Sequence, residues 1–341
     1  MTDRKRVTLK EIAQQAGVHH TTVSLALRNR PELPLETRLS LQKLAEEMGY
    51  RPDPALSALR ARHRSTSESG YSIALVTTAN RPTVWRENDL HRTCHDGIVR
   101  RAAQLGYHFE DFWYDRKSMS KQRVTRILRT RNISGLLISG HGPLQANDLE
   151  WEHFACVSMT QSLPEIPIHV VTSDHSFTIR RALRELLALK YKRIGFVMDQ
   201  FTDRHLQGVW STGFLGEQAM LPIKQRVPIH LPEKLTVENF RAWRERHTPD
   251  VILSIPPNLE FIDWLKRDGF RVPDDIGIAS LDCSSNGEIS GIYQNTEVLG
   301  MLAVDTVAGL IHRNDLGLPQ HPTEVLMRGT WIGQRTTRLQ S

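Results

Sequence analysis

Apolar residues in the first fifty positions recur at helical spacing. Leu9, Ile12, Ala13 and Ala16 fall at i, i+3, i+4 and i+7, one face of a short helix. Thr8-Leu9-Lys10-Glu11 has the form of a capping box at its start. Ala16-Gly17-Val18 supplies a tight turn, with glycine free to take positive φ. A second helix is predicted from about His20 to Leu27. At roughly 100° per residue, His20, Thr21, Ser24 and Arg28 share its outer sector, while Thr22, Val23, Ala26 and Leu27 cover the other side. Two prolines mark residues 29–34 as a loop. A third helix runs from Leu35 to Met48, with Leu41, Leu44, Ala45 and Met48 turned inward and Gly49 ending it. A helix, a tight turn and a second helix with a polar outer face form a helix-turn-helix, whose second helix fits the DNA major groove.

The pattern changes after a polar, charged stretch over 60–70. Strand-like runs at Tyr71–Thr78, His108–Tyr114, Ile133–Ser139 and Ala155–Met159 alternate with helical runs at about Asp89–Leu105, Ser120–Arg129 and Ala146–Trp151. A second series opens with Val170–Ser173 and a helix from Phe177 to Leu189. It continues through Arg193–Met198, a helix from about Gln207 to Ala219, Val227–His230 and a helix from about Val237 to His247. Val251–Ser254, Leu259–Asp268 and Ile276–Leu281 close it. Such alternation predicts parallel sheets joined by right-handed crossovers. The expected fold is an all-α helix-turn-helix head plus an α/β core of two Rossmann-like lobes. The head spans 1–60, with a brief helical segment over 53–60; 61–70 is a linker and 71–341 the core. The first lobe takes about 71–170 and 295–324, the second about 171–294 and 325–341. Ligands in such sheets sit beyond the carboxyl ends of the strands, here in a cleft between the lobes.

Charge sharpens the picture of the head. The first 64 residues hold twelve Lys/Arg against seven Asp/Glu, a difference of five out of the whole chain's +6. That asymmetry suits a polyanionic partner at the amino-terminal end. No signal peptide or membrane-spanning run is legible, so a cytoplasmic protein is expected. Cys94, Cys156 and Cys283 are scattered and odd in number, which reads as buried thiols. Adjacent His19 and His20 diverge around a helix and suit one metal ion poorly, so neither metal nor cofactor is expected.

The stretch TLKEIAQQAGVHHTTVSLALRN, followed by TRLSLQKLAEEMGYRPDPALSAL, resembles the lactose-repressor (LacI/GalR) family of bacterial transcription regulators. LLALKYKRIGFV, RVPDDIGIASLDC and IYQNTEVLGMLAVD extend the likeness through the core. The resemblance implies a homodimer on near-palindromic operator DNA, with a core like periplasmic sugar-binding proteins whose ligand alters DNA affinity. It places Leu9 and the recognition-helix residues His19, His20, Thr21, Ser24, Leu25 and Arg28 at the DNA. Thr8, Thr22 and Tyr50 fall at positions that touch backbone phosphates. It makes 53–60 a hinge helix, with Ala55 near the minor groove and Leu59 as the wedge that unstacks its central step.

Several positions depart from that pattern. His19 stands where the family usually has serine, which weakens the cap of the second helix by about 1 kcal/mol or lets the ring approach a phosphate. Leu25 stands where many members have an arginine able to read guanine; leucine can meet only thymine methyls. In the core, Asp282 matches an aspartate that accepts hydrogen bonds from sugar hydroxyls, with a structural cap as the alternative. Gln294 is a hinge residue or a ligand contact. Trp210 replaces an expected arginine, stacking on a sugar or packing in the core; Arg204 lies further up the chain. The usual Asn-Asp pair gives way to Ile255-Pro256-Pro257-Asn258. Trp85 is a candidate wall residue or a packed one.

The expected function is a sequence-specific transcriptional regulator, most often a repressor, responsive to a small molecule such as a sugar. The rivals are a solute-binding or enzymatic α/β protein with an accessory head, and a regulator whose core ignores ligands. No Gly-rich phosphate loop, GxSxG, HExxH or paired-carboxylate signature supports catalysis. His141-Gly142 and Asp174-His175 read as background among fifteen histidines.

Overall fold

The computed structural model describes residues 7–27, 32–50, 71–163, 165–256, 258–285, 287–333 and 335–340. Arg28, the 53–60 segment with Ala55 and Leu59, and the 61–70 linker lie outside the described residues.

Among the described residues the head has three helices, α1 (Leu9–Ala16), α2 (His20–Leu27) and α3 (Leu35–Glu47). The capping box at Thr8 forms: its hydroxyl accepts the Glu11 N–H at 3.3 Å, and the Glu11 carboxylate accepts the Thr8 N–H at 2.7 Å. Gly17 takes φ +68° between α1 and α2, where a side chain would be strained. Ile12, Ala13, Val23, Ala26, Leu41 and Ala45 meet in a small buried core, with Leu44, Met48 and Tyr50 packed around it.

The first core sheet has the order β10-β5-β4-β3-β1-β2, all parallel. Its strands are β1 (Ser72–Thr77), β2 (His108–Trp113), β3 (Ile133–Ile138), β4 (Ala155–Ser158), β5 (His169–Ser173) and β10 (Glu324–Met327). Six consecutive buried residues in β1 fit a strand covered on both faces. One face packs on α5 (Lys121–Thr130) through Val124 and Leu128. The other packs on α4 (Asp89–Gln104) and α11 (Thr296–Arg313) through Ile98, Ala303, Val304 and Val307.

The second sheet runs β11-β9-β8-β7-β6, with only β11 antiparallel to its neighbour. Its strands are β6 (Ile194–Phe196), β7 (Val251–Ser254), β8 (Gly277–Ser280), β9 (Gly291–Tyr293) and β11 (Thr330–Ile332). Helices α6 (His175–Ala188) and α8 (Val209–Gln218) cover one face. The other is covered by α9 (Val237–His247) and α10 (Phe261–Arg267). The chain crosses between the lobes three times: after β5, after β9 and after β10.

Several elements differ from expectation. Val170–Ser173, read as opening the second series, pairs with β4 and β10 in the first sheet. The second lobe therefore starts near Asp174 rather than 171, and 324–327 return to the first lobe rather than opening the last piece of the second. The helix expected over Ala146–Trp151 is turns followed by one 3-10 turn at Trp151–His153. There the Asp148 carboxylate takes the Gln145 N–H and the Trp151 indole takes the Ala146 carbonyl, so side chains hold backbone groups a helix would use. Val227–His230 contributes one isolated bridge rather than a strand. The helix expected from Gln207 is preceded by a separate α7 (Gln200–His205), and Gly208 at φ +66° divides α7 from α8.

Helices α4 and α11 approach closely at two glycines. A Cβ on Gly97 would lie 2.1 Å from the Glu297 carbonyl oxygen, and one on Gly300 would lie 2.2 Å from that of Cys94. Both obstacles are backbone, so the helices must part. Gly300→Ala is expected to destabilise the core by about 1–3 kcal/mol. Denaturant unfolding checks this; an unchanged midpoint would refute the close approach.

Candidate DNA-binding face and effector cleft

On α2 the burial follows the predicted sides. Val23 and Ala26 are buried, His20 and Thr21 are exposed, and Thr22, Ser24 and Leu25 are half-buried. Exposed His19 precedes the helix, and its carbonyl accepts the Thr22 N–H at 2.9 Å. Its ring Nδ1 lies 2.8 Å from the Thr21 hydroxyl and its ring centroid 4.2 Å from that of His20. The His19 side chain thus engages a neighbouring side chain where a serine would take a backbone N–H. Thr8 is exposed at the start of α1, Leu9 is half-buried, and Tyr50 packs on the head core with part of its surface open. A capped first helix and a tight turn therefore present exposed polar groups at the start of the second helix, with Ser24 half-buried one turn on, the geometry of groove docking. Among the described residues no group of three His, Cys, Asp or Glu could hold a metal ion.

In the core, the strand ends collect polar groups that lack partners. Asp282 follows β8; its backbone is held by the Ser280 hydroxyl, whereas its buried Oδ1 has no hydrogen-bond partner among the described residues. Burial pushes this carboxyl up to about 7. Trp210 is 2% exposed in the same cluster as Leu281, and its indole N–H is likewise unpaired. Edge-on to it, at 4.9 Å between centroids, stands His175, with Nδ1 unpaired. Burial lowers His175 to about 4, against a smaller opposing pull from Asp174.

Across the cleft, after β3, His141 Nε2 meets His91 Nδ1 at 3.0 Å. Burial, with the neighbouring His91 and His205, lowers His141 to about 4. The lobes also touch: the Ser162 hydroxyl donates to the His205 carbonyl at 3.0 Å, and the Gln207 amide donates to the Gln161 carbonyl.

The other core candidates are placed differently. Trp85 is packed, stacked at 3.7 Å on His95 with Arg86 above it. Gln294 is 2% exposed; its amide donates to the Leu281 carbonyl at 2.6 Å and it accepts from Thr178 at 3.4 Å, which ties a crossing segment to the second lobe. Arg204 is exposed in the last turn of α7. Asn258, in the replaced Asn-Asp stretch, holds Asp199, which caps α7. In the sequence His141 and His175 read as background, and His91 and His205 carry no motif. The usable signal was position: His141 follows β3, and His175 opens the helix after β5.

Two family descriptions match the chain: bacterial regulatory proteins of the lacI family over 8–53, and a periplasmic binding protein-like domain over 183–337. Among similar proteins is the HTH-type transcriptional regulator DegA of Bacillus subtilis, 24% identical over 81% of this chain and 82% of that one. Another is PtxS of Pseudomonas putida, 25% identical over 92% of each. The fold matches that of the lac repressor dimer bound to operator and the anti-inducer ONPF, with TM-score 0.58, 19% identity, and 98% of this chain and 100% of that one covered. It also matches the CelR–cellobiose complex, with TM-score 0.57, 16% identity and coverage of 97% and 100%. Head, core and relatives together define a DNA-binding transcriptional regulator and not an enzyme. The head over 8–53 matches the lacI family of bacterial regulatory proteins and the core over 183–337 a periplasmic binding protein-like domain, the two parts that make up such a regulator.

Proposed function

We propose that this regulator is a cytoplasmic homodimeric repressor that binds a near-palindromic operator and is modulated by a carbohydrate held between its lobes. The observation that carries the DNA half is the exposed polar face of α2 behind a capped α1. In this reading His20, Thr21, Ser24, Leu25 and Arg28 meet base edges, while Thr8, Leu9, His19, Thr22 and Tyr50 hold the backbone. Ala55 and Leu59 reach the central minor groove. Exposed Val99 on α4 and Val298 on α11 support dimerisation through the first lobe. No described helix is long and apolar enough to cross a membrane.

For the effector, Asp282 and Trp210 supply an unpaired acceptor and donor, and a sugar hydroxyl can satisfy both kinds. Arg204, exposed in the last turn of α7, supplies a cation from the second lobe. Trp85 and Gln294, held by His95 and Leu281, act by positioning the walls. Because a ligand shifts affinity only by favouring one lobe arrangement, response requires differential contact. A thermal-shift screen against sugars, sugar phosphates and purines, followed by operator titration, tests this half. Compounds that stabilise the core without moving operator affinity would oppose it.

Operator binding tests the first half. Fluorescence anisotropy on a duplex selected from a random pool should show salt-dependent, sequence-selective binding. Ser24→Ala should relax base preference at one position by about 1–3 kcal/mol. Thr8→Ala should weaken all duplexes alike, because removing the cap costs about 0.5–2 kcal/mol of head stability. A base-resolved affinity profile identical for both variants would contradict the assigned roles.

A further inference from the structure

A second polar concavity lies outside the cleft. A pocket of about 250 Å³ is lined by Asp174, Phe177, Arg180, Arg181, Arg184 and Arg328. Five of the six come from α6 or its cap; Arg328 comes from the segment between β10 and β11, where the chain crosses from one lobe to the other. Four guanidinium groups thus line one wall set that holds a single carboxylate. Some of this charge is already engaged. Arg181 pairs with Glu185 at 2.5 Å. Arg328 lies 3.8 Å from the Asp174 carboxylate and sits over the Phe177 ring at 4.9 Å. Arg180 donates through Nε to the Ser176 carbonyl at 3.0 Å, which leaves its terminal nitrogens directed elsewhere. Arg184 is exposed and makes no hydrogen bond or ion pair among the described residues. The pocket therefore concentrates positive charge beyond what its own acids neutralise.

We propose that this pocket is a second ligand site, for a compact phosphorylated small molecule or free phosphate, held by Arg180, Arg184 and Arg328. Guanidinium groups present planar forks that match phosphate oxygens, and they remain charged throughout the physiological range. The volume is below the roughly 300–1,000 Å³ usual for drug-sized ligands, so it suits a small anion rather than a bulky one. Position gives the site a consequence. Asp174 N–H donates to the Met327 carbonyl at 2.7 Å, so two of the three crossing segments already meet at the pocket. An anion bridging Arg184 of the second lobe to Arg328 of a crossing segment would draw on the geometry of the hinge.

Isothermal titration calorimetry on the full chain tests this, with orthophosphate, pyrophosphate and glycerol phosphate as probes at ionic strength matched with chloride. A phosphate-free acidic peptide is a further arm, because the same charge could serve an acidic protein segment. We expect one pyrophosphate per protomer in the wild type and at least a tenfold weaker affinity in Arg184→Ala and in Arg180→Ala, both surface changes. Thr8→Ala, in the basic head, should leave pyrophosphate affinity unchanged. Tighter binding of glycerol phosphate than orthophosphate would identify the organic moiety as recognised; the reverse would identify free phosphate. The proposal is overturned by heats equal to chloride. It is also overturned by binding that survives in Arg184→Ala, which would place the anion elsewhere on the chain, or by Arg184-dependent capture of the peptide without pyrophosphate binding.

Discussion

Ile12→Ala is expected to abolish sequence-specific DNA binding while leaving the core folded. Ile12 is fully buried at the junction of the three described head helices, in a core of six buried residues among those described. Truncating a buried isoleucine costs about 2–5 kcal/mol, from lost transfer energy and an unfilled cavity. A domain of some fifty residues buries a smaller share of its unfolded surface than a larger one, about 60%, and has little stability in reserve. The loss is therefore comparable with the total for the head. Operator affinity should fall by at least tenfold, and amide exchange should show unprotected α1–α3 beside a protected core. Operator binding within twofold of wild type would mean that the head draws its stability from elsewhere.

Asp282→Asn separates the stability of the cleft from its ligand chemistry. Burial raises the Asp282 carboxyl to about 7, whereas in the unfolded chain it titrates near 4. Below pH 4 both states hold the proton, so the group is neutral in its effect. Between 4 and 7 the unfolded chain ionises and the folded one does not, so stability falls as pH rises. Above 7 the full penalty is present. Asparagine removes it. The variant should gain on the wild type by roughly 2–3 kcal/mol between pH 5 and pH 8, read from denaturant midpoints. A margin that stays constant with pH would show that Asp282 is solvated. Asp282→Ala should keep the fold and lose effector response; a full response in operator titration would remove Asp282 from the ligand site.

The head was legible in the sequence because its signals are local. Thr8 and Glu11 are three residues apart, Gly17 ends α1, and the apolar spacing repeats within one helix. The core was legible where buried apolar runs mark the strands, as in β4, β6, β7 and β8, each only three or four residues long. Strands β10 and β11 are largely exposed sheet edges, and β9 is three residues opening on a glycine, so none of the three carries such a run. Chain order groups Val170–Ser173 with the second lobe, but order along the chain does not determine which sheet a strand joins; β5 pairs with β10, some 150 residues on. The cleft has the same character. Asp282 stood out by its place after a strand, but the contact between His91 and His141 joins positions fifty residues apart. The arginines of α6 look like an ordinary solvated face until Arg328 is brought beside them by the last crossing. Trp210 left two readings open; the structure buries it yet leaves its indole N–H unanswered, so packing and recognition coexist.

The threefold passage of the backbone between sheets has a bearing on how such regulators can be recombined. The head joins the body at one seam, so a head graft needs one compatible junction. A single sensing lobe is assembled from separate stretches, and moving it to another body would demand agreement at three junctions at once. The final strands sharpen the point, since β10 and β11 are neighbours in sequence but belong to different sheets. Clipping some twenty residues from the carboxyl terminus would strip an edge from both lobes together.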